Sequence, residues 1–445
     1  MKPAQPARRE TYPNPLRRGR RWWAPIAGAL ILGLALAAWV YNLPSFQERF
    51  GWRISEARAV VWYALFPPEE SVFTPNPTLA AMVQQTLAAF TPTATVTPSP
   101  GPTAPPTTTP TPTLVPTPLP ERVALTGTRH EYQKYNNCGP ATLAMALSVW
   151  GWEGDQRPIA AYTKPNARDK NVMPYELEAF VDNETGLRAV VRVGGDLGRL
   201  KSLIAAGFSV MVEKGFEGPG FDGWMGHYEL LTGYDDGRAR FIAQDSYIGS
   251  DLPIPYDELE SYWRAFNYTY IVLYPPERED EVLALLGADA DEEANVAAAS
   301  QKASDEIFSL TGRDQLFAWF NRGSNLVEQQ DFAGAAVAYD EAFRLDAELA
   351  VLDPETRPWR ILWYQTGPYW AYFYSGRHYD VINLATQTLG NMSEPILEES
   401  YYWRGLAREA VGDVTGAIED LRTSLIYHPD FEPAVYQLTR LGVDA

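Results

Sequence analysis

The chain has 445 residues, 46% of them hydrophobic, and a formal net charge of -19. This length is too great for one ordinary domain, and the hydrophobic content excludes a disordered chain. The negative charge disfavours a nucleic-acid partner, because phosphate binding needs clustered Lys and Arg. One cysteine and four scattered histidines, with no CxxC or HExxH motif, predict no disulfide, no metal and no other cofactor.

The first predicted element is a membrane helix. Residues 1–21 carry one Lys and six Arg against one Glu, and we expect this basic tail to stay in the cytoplasm. Residues 22–41 are an uncharged, mostly apolar run of 20 residues, which is long enough to cross a bilayer. We therefore predict one transmembrane helix with the rest of the chain outside. The alternative is a signal peptide cleaved near Ala35-Leu36-Ala37.

Two segments separate this helix from the first predicted globular domain. Residues 42–90 contain short helical patterns and are interpreted as a juxtamembrane spacer without a function of its own. Residues 91–120 contain 11 Thr and 11 Pro and no charge, which predicts an extended linker. At about 3.1 Å per residue, this linker would be a stalk of roughly 90 Å.

Residues 121–276 are predicted to form an α+β domain, because helical patterns come first and antiparallel strand patterns follow. The expected helices are 138–150, 174–184, 196–206 and 256–265. The expected strands are 187–193, 208–214, 228–234, 238–244 and 269–274.

The lone cysteine, Cys138, stands at the head of the first of these helices. A thiol at a helix N-terminus feels the positive end of the dipole, and a neighbouring imidazolium lowers its pKa further. Gly139 permits close approach of a substrate backbone, and Pro140 suits the first helical turn. These features indicate a nucleophile rather than a buried structural cysteine.

A predicted β-hairpin supplies the partners of this thiol. A three-residue loop ending at Gly237 would pair Tyr234 with Arg238 and place His227 directly opposite Asp245. Opposed residues share one face of a sheet, which allows an imidazole–carboxylate hydrogen bond. The sequence therefore predicts a Cys-His-Asp triad.

Each predicted residue then has a role in acyl transfer. Cys138 attacks a carbonyl carbon, His227 accepts the thiol proton and returns it to the leaving group, and Asp245 fixes the imidazole tautomer. Gln133 is the predicted oxyanion donor, together with the backbone N–H of the cysteine. Gln133 stands five residues before the cysteine, whereas papain-like enzymes usually have this glutamine six residues before it. Asn136 or Asn137 is therefore the alternative donor.

Residues 127–275 resemble the C39-like peptidase family, relatives of the papain fold. The resemblance depends on three motifs, which are Gln133…Asn137-Cys138-Gly139-Pro140-Ala141, Gly226-His227-Tyr228 with Gly233-Tyr234-Asp235-Asp236, and Asp245-Ser246. Membership would imply Cys138 as nucleophile, His227 as base and Asp245 as the orienting acid. Leader-cleaving members are cytosolic domains fused to ATP-driven exporters, so processing of double-glycine leaders is not implied for this chain.

The C-terminal third has a different pattern. Residues 277–315 are acidic and Ala-rich, and we interpret them as a solvated helical connector. Within residues 316–445, small and aromatic residues recur at the same spacings, which are Trp319, Gly323, Ala335, Tyr339 and Ala342, then Tyr401, Gly405, Ala417, Leu421 and Ser424. This pattern resembles tetratricopeptide repeats. Two interpretations stay open, a concave surface for a protein partner and a cap that only packs on the peptidase domain.

Together these features predict a multidomain protein with a papain-like α+β domain, an all-α repeat domain and a transmembrane helix. The predicted function is an extracytoplasmic, membrane-anchored cysteine peptidase that acts on a peptide or protein substrate. One alternative is a catalytically silent scaffold on the same fold. The other is a transglutaminase-like amidase or acyl transferase, which would use the same triad.

Overall fold

The structure of the protein is a computed structural model. It describes residues 23–41, 43, 46, 52–65, 70–90, 118–166, 168–217 and 223–444. The predicted cytoplasmic tail, residue 22 of the predicted membrane helix and residues 91–117 of the predicted linker lie outside these ranges. The chain divides into two units, Met1–Val61 and Trp62–Ala445, which are described separately.

The first unit contains an apolar helix, α1, over Trp23–Tyr41, and most of helix α2, over Trp52–Leu65. Helix α1 has no charged residue. Among the residues that the structure describes, no helix combines the length and apolarity required to span a membrane.

Residues 70–90, which belong to the predicted spacer, pack against the C-terminal helices. Helix α3 spans Pro77–Phe90, and Phe73 just before it is buried against Phe343 at a ring-centroid distance of 4.9 Å. Arg357 donates hydrogen bonds to backbone carbonyls of this segment, those of Glu70 and Ser71, at 3.2 and 3.0 Å.

Residues 118–276 form an α+β domain around an antiparallel sheet. Its strands are β1 Arg122–Ala124, β2 Arg188–Arg192, β3 Val210–Phe216, β4 Met225–Asp235, β5 Arg240–Asp245, β6 Gly249–Pro255 and β7 Tyr270–Tyr274. Its helices are α4 Cys138–Ser148, α5 Gln156–Thr163, α6 Pro174–Glu184, α7 Leu197–Ala205 and α8 Tyr256–Trp263. The strand order is β2-β7-β3-β4-β5-β6, and β1 pairs with the end of β4.

Every helix and strand predicted for this domain is present, and three elements were missed, namely β1, α5 and β6. Strand β6 contains Pro253 and Pro255, which disfavour a strand assignment because proline cannot donate to the ladder. It pairs only with β5, and such an edge position tolerates proline.

The two faces of the sheet support separate hydrophobic cores. Alternation along β3 places Met211 on the side of α4 and α6, and Val210 and Val212 on the opposite side with α7 and α8. Helix α9, Glu279–Leu286, inserts Val282 and Leu286 into this second core. The segment predicted as a solvated connector is therefore part of the packed domain.

The C-terminal region consists of helices in which neighbours along the chain pack against each other. They are α10 Glu292–Ser309, α11 Gly312–Glu328, α12 Phe332–Leu352, α13 Gly367–Tyr374, α14 His378–Gly390, α15 Glu398–Ala410, α16 Val414–Tyr427 and α17 Glu432–Arg440. Their core also includes Trp224 and Phe266 from the α+β domain. Since both regions contribute to one core, the helices cover one side of the domain that carries the candidate site.

Candidate active site

Cys138 is the first residue of helix α4, and the residue as a whole is half-buried. The preceding residue, Asn137, provides no side-chain cap, so the helix dipole is not neutralised there. The helix is fixed on β4, since the Thr142 hydroxyl donates a hydrogen bond to the Tyr228 carbonyl at 3.1 Å. A Cβ atom added at Gly139 would lie 3.3 Å from the Tyr228 ring, so glycine permits this close packing.

His227 and Asp245 lie next to the thiol. The Nε2 atom of His227 is 3.2 Å from Oδ2 of Asp245, and both side chains are buried. The other carboxylate oxygen accepts hydrogen bonds from the backbone N–H groups of Tyr247 and Ile248 at 2.6 and 2.8 Å. Because Nε2 faces Asp245, Nδ1 is the ring nitrogen left to face the Cys138 thiol.

The register of the hairpin that brings them together differs from the predicted one. Tyr234 does not pair with Arg238; instead Asp235 pairs with Arg240. The loop has four residues and ends at Ala239, which adopts a left-handed conformation with φ of 48°. The prediction assigned this conformation to Gly237 instead of Ala239, and the predicted loop was therefore one residue too short.

A β-bulge at Thr232 corrects the consequence of this longer loop. With the hairpin register alone, His227 and Asp245 would project from opposite faces of the sheet. Beyond the bulge the pairing shifts by one residue, so that Leu230 lies opposite Gln244. This shift returns His227 and Asp245 to one face as diagonal neighbours, a separation that an imidazole and a carboxylate can bridge.

The electrostatics favour a thiolate–imidazolium pair. Burial alone would raise the pKa of Cys138, but the hydrogen bond and charge of His227, the Tyr228 backbone and Lys164 lower it below its ordinary 9.0. Burial acts against the charge on His227, yet Asp245 and the thiol raise its pKa to about 10. Despite burial, the imidazolium and two backbone N–H groups hold the pKa of Asp245 well below its usual range.

Several supporting residues were not predicted from the sequence. Phe216 packs against the His227 ring at a centroid distance of 4.8 Å. Lys214 lies opposite His227 on β3 and forms a buried ion pair with Glu229 at 3.0 Å. The Nε2 atom of His130 lies 2.9 Å from the Asp245 carbonyl oxygen. For Phe216, Lys214 and Glu229 the only sequence signal is a charge or an aromatic ring in or next to a strand pattern, and His130 is a lone histidine before the first predicted helix; neither signal points to a particular site.

Lys164 fixes the loop before the cysteine. Its buried ammonium donates hydrogen bonds to the carbonyls of Asn136 and Asp169 at 2.6 and 2.7 Å. Asn136 has a positive φ of 53°, so this loop turns sharply just before helix α4. The lysine thus supplies positive charge near the thiol and also holds the backbone that precedes it.

The three oxyanion candidates occupy different surroundings. The Gln133 side-chain oxygen accepts a hydrogen bond from Ser246 at 2.9 Å, and Gln133 does not line the small pocket at Cys138. The Asn137 amide donates to Gln156 at 2.6 Å, away from that pocket. Asn136 does line it. The oxyanion role of Gln133 stays a prediction.

The pocket at Cys138 is small, with a volume of about 10 Å³, which suffices for one water molecule. Tyr364 from the C-terminal region lines it together with His227 and Tyr228. Within the described ranges, no group of three or more His, Cys, Asp or Glu side chains is arranged to hold a metal ion. The functional groups of the site are therefore the Cys138 thiol, the His227 imidazole and the Asp245 carboxylate.

Comparison with protein families agrees with this class of fold. Residues 125–271 match the Peptidase_C39 like family, and the match includes all three candidate catalytic residues. A crystal structure from Bacillus anthracis, described as a candidate C39-like peptidase, is similar over 34% of this chain and 97% of that chain, with 17% identity and a TM-score of 0.29. No curated protein matches this chain.

These findings define a C39-like α+β domain with an antiparallel sheet, followed by a helical region. The resemblance stated from the motifs is thereby confirmed for the domain. The tetratricopeptide identity of the C-terminal helices stays a prediction.

Proposed function

We propose that this protein is a cysteine peptidase that cleaves peptide bonds through Cys138, His227 and Asp245. The observation that carries this proposal is the line of contacts from the thiol through the imidazole to a carboxylate held by two backbone N–H groups. The match of residues 125–271 to a peptidase family supports it.

Each group has one task in the proposed cycle. The Cys138 thiolate attacks the scissile carbonyl carbon and forms a tetrahedral intermediate. His227, as imidazolium, protonates the leaving amine, which leaves a thioester on the cysteine. His227 then accepts a proton from water as that water attacks the thioester, and the carboxylic acid departs with the thiolate restored. Asp245 orients the ring throughout.

The test is the pH dependence of Cys138 alkylation by iodoacetamide in the full-length protein. We expect labelling to continue below pH 9.0, because His227 stabilises the thiolate. In His227→Ala the pKa should rise, and labelling at neutral pH should slow about tenfold for each unit of that rise. His378→Ala, in the C-terminal helices, is the matched control. Slow labelling with an unshifted pKa in the unmodified protein would contradict the peptidase proposal and favour a scaffold.

We also propose that the helices of residues 316–445 are tetratricopeptide-like repeats that bind a protein partner. Support comes from the glycines at equivalent repeat positions. A Cβ atom at Gly323 would lie 2.7 Å from the Tyr339 ring, and one at Gly405 would lie 3.1 Å from Leu421. Each glycine thus permits close packing within its helix pair, α11 with α12 and α15 with α16.

The third part of the proposal is membrane anchoring by residues 22–41, with the domains outside. The basic tail and the uncharged apolar run support it. Alkaline extraction of membranes, followed by protease treatment of intact cells, tests it. Retention in the membrane with digestion from outside is the expected result, whereas release by alkali would contradict anchoring.

A further inference from the structure

A large cavity lies between the α+β domain and the C-terminal helices. Its volume is about 860 Å³, which is within the usual range for a small-molecule or peptide-segment site. It is distinct from the small pocket at Cys138, but Glu213 and Tyr364 line both. A ligand in the cavity would therefore reach to within one side chain of the candidate nucleophile.

The walls of this cavity carry an excess of carboxyl groups. Glu178, Glu292 and Glu328 line it in addition to Glu213. Within the described part of the chain, none of these four forms an ion pair. Arg192 is the one cationic side chain in the described lining, and its guanidinium donates to three backbone carbonyls of its surroundings.

Glu213 is the most informative of these acids. Its side chain is only 5% exposed, it lies opposite Tyr228 in the β3–β4 ladder, and it forms no ion pair among the described residues. Burial raises its pKa well above the ordinary value, although a hydrogen bond with the Tyr228 side chain acts in the opposite direction. Ionising a buried carboxyl is costly unless a cation lies beside it, so a positively charged ligand group in either pocket would offset that cost.

Exposed aromatic rings accompany the acids. Tyr175, Trp370 and Tyr374 line the cavity with exposed fractions of 58%, 40% and 53%. Trp370 and Tyr374 are stacked at a centroid distance of 5.8 Å. Aromatic faces and carboxylates together are the usual surroundings of a lysine or arginine side chain, through cation–π contact and charge pairing.

We propose that this cavity binds the substrate, and that it selects a peptide segment carrying lysine or arginine. The inference rests on the proposed peptidase function and adds the substrate class to it. Tyr364 and Glu213 would separate the bound cationic side chain from the scissile bond at Cys138.

The test is peptide binding to full-length Cys138→Ala protein, because binding can then be read without turnover. The affinities of three fluorescent peptides are compared by anisotropy. The peptides have the same length and differ only in carrying lysine, uncharged norleucine or glutamate at the same positions. We expect the lysine peptide to bind about tenfold more tightly than the norleucine peptide at low salt, since several partly screened charge pairs together are of that order. High salt should reduce the difference.

A triple variant tests whether the preference for lysine arises from the carboxylates of the cavity. Glu178→Gln, Glu292→Gln and Glu328→Gln together should remove the preference for lysine. The matched control carries Glu184→Gln, Glu293→Gln and Glu355→Gln, three exposed carboxylates outside the cavity lining, and should retain it. Circular dichroism verifies that both variants are folded.

The outcomes separate this inference from the peptidase proposal. Equal affinity for lysine and norleucine peptides, absence of binding, or equal loss in both triple variants would overturn the cavity assignment. An unactivated Cys138 thiol in the alkylation experiment would overturn the peptidase proposal, while the binding experiment would still report on the cavity.

Discussion

At the scale of single residues, the charge state of the thiol and the imidazole determines the expected pH profile. The pKa of Cys138 lies below 9.0, and that of His227 is about 10. Thiolate and imidazolium are therefore both present between the pKa of Cys138 and the pKa of His227. Peptidase kcat/KM should rise as Cys138 loses its proton and fall as His227 loses its proton near pH 10. Stopped assays with a neutral peptide across this range measure both limbs.

Asp245→Asn provides the control for this profile. Without the carboxylate, the strongest influence that raises the pKa of His227 is lost, so the alkaline limb should move to lower pH. If that limb stays where it is in the unmodified enzyme, His227 is not the group that titrates there.

The oxyanion donor is a second prediction at this scale. Asn136 lines the pocket at Cys138, whereas Gln133 is bonded to Ser246 outside that lining. We expect Asn136→Ala to lower kcat by about 10²-fold with little change in the alkylation rate, since loss of one oxyanion donor costs that much. Gln133→Ala is the paired variant. A large loss in kcat for Gln133→Ala alone would restore the sequence-based assignment.

At the scale of elements, the bulge in β4 lies directly before the residues of β4 that pair with β1. Gly233 follows the bulged residue, and a Cβ atom there would lie 2.6 Å from the Val123 carbonyl oxygen. Gly233→Val should therefore lower the free energy of unfolding by about 1–3 kcal/mol, as overpacking does, and should also slow alkylation of Cys138 by disturbing the register that aligns His227. Urea unfolding followed by tryptophan fluorescence measures the first effect.

Gly186→Val is the matched control for this substitution. Gly186 is exposed, and an added Cβ atom there would have no neighbour within 4 Å. We expect its free energy of unfolding to change by less than about 0.5 kcal/mol. If the free energy of unfolding falls equally in both variants, the close approach of β1 to Gly233 does not constrain the bulge.

The same hairpin shows what the sequence could and could not predict. Hydrophobic alternation and the position of Cys138 at a helix start were sufficient for the main elements and for the three candidate residues. The register was not predictable, because a four-residue loop closed by Ala239 and a bulge at Thr232 have no local signal. The two unpredicted changes compensate, which is why His227 and Asp245 meet although the predicted pairing was wrong.

At the scale of the whole molecule, the C-terminal helices shape the surroundings of the candidate site. Trp224 and Phe266 of the α+β domain share a core with these helices, and Tyr364 lines the pocket at Cys138. The sequence could assign helices to this region but could not place them, since their packing partners lie in the α+β domain. Asn321 donates a hydrogen bond to Arg264, 57 residues earlier, and Arg360 donates one to Trp224, 136 residues earlier. The region therefore contributes directly to access to the thiol, beyond any binding of a partner.

The docking of residues 70–90 leads to a prediction for the whole chain. When a protease site is introduced within residues 91–117 and cleaved, we expect the N-terminal fragment to stay bound to the rest, because Phe73 is buried among the C-terminal helices and Asp380 accepts a hydrogen bond from the Asn76 backbone at 3.0 Å. Gel filtration after cleavage, under native conditions and in denaturant, measures this association.

Phe73→Asp should release the fragment, because it places a charge in an apolar core with no cationic partner prepared for it. Gln84→Asp introduces the same charge at an exposed position of α3 and should leave the fragment bound. Separation of the unmodified fragments in native buffer would mean that residues 70–90 are only tethered. That result would support the stalk that the composition of residues 91–120 predicts. Retention would mean that residues 42–69 are what connects the predicted membrane helix to the domains.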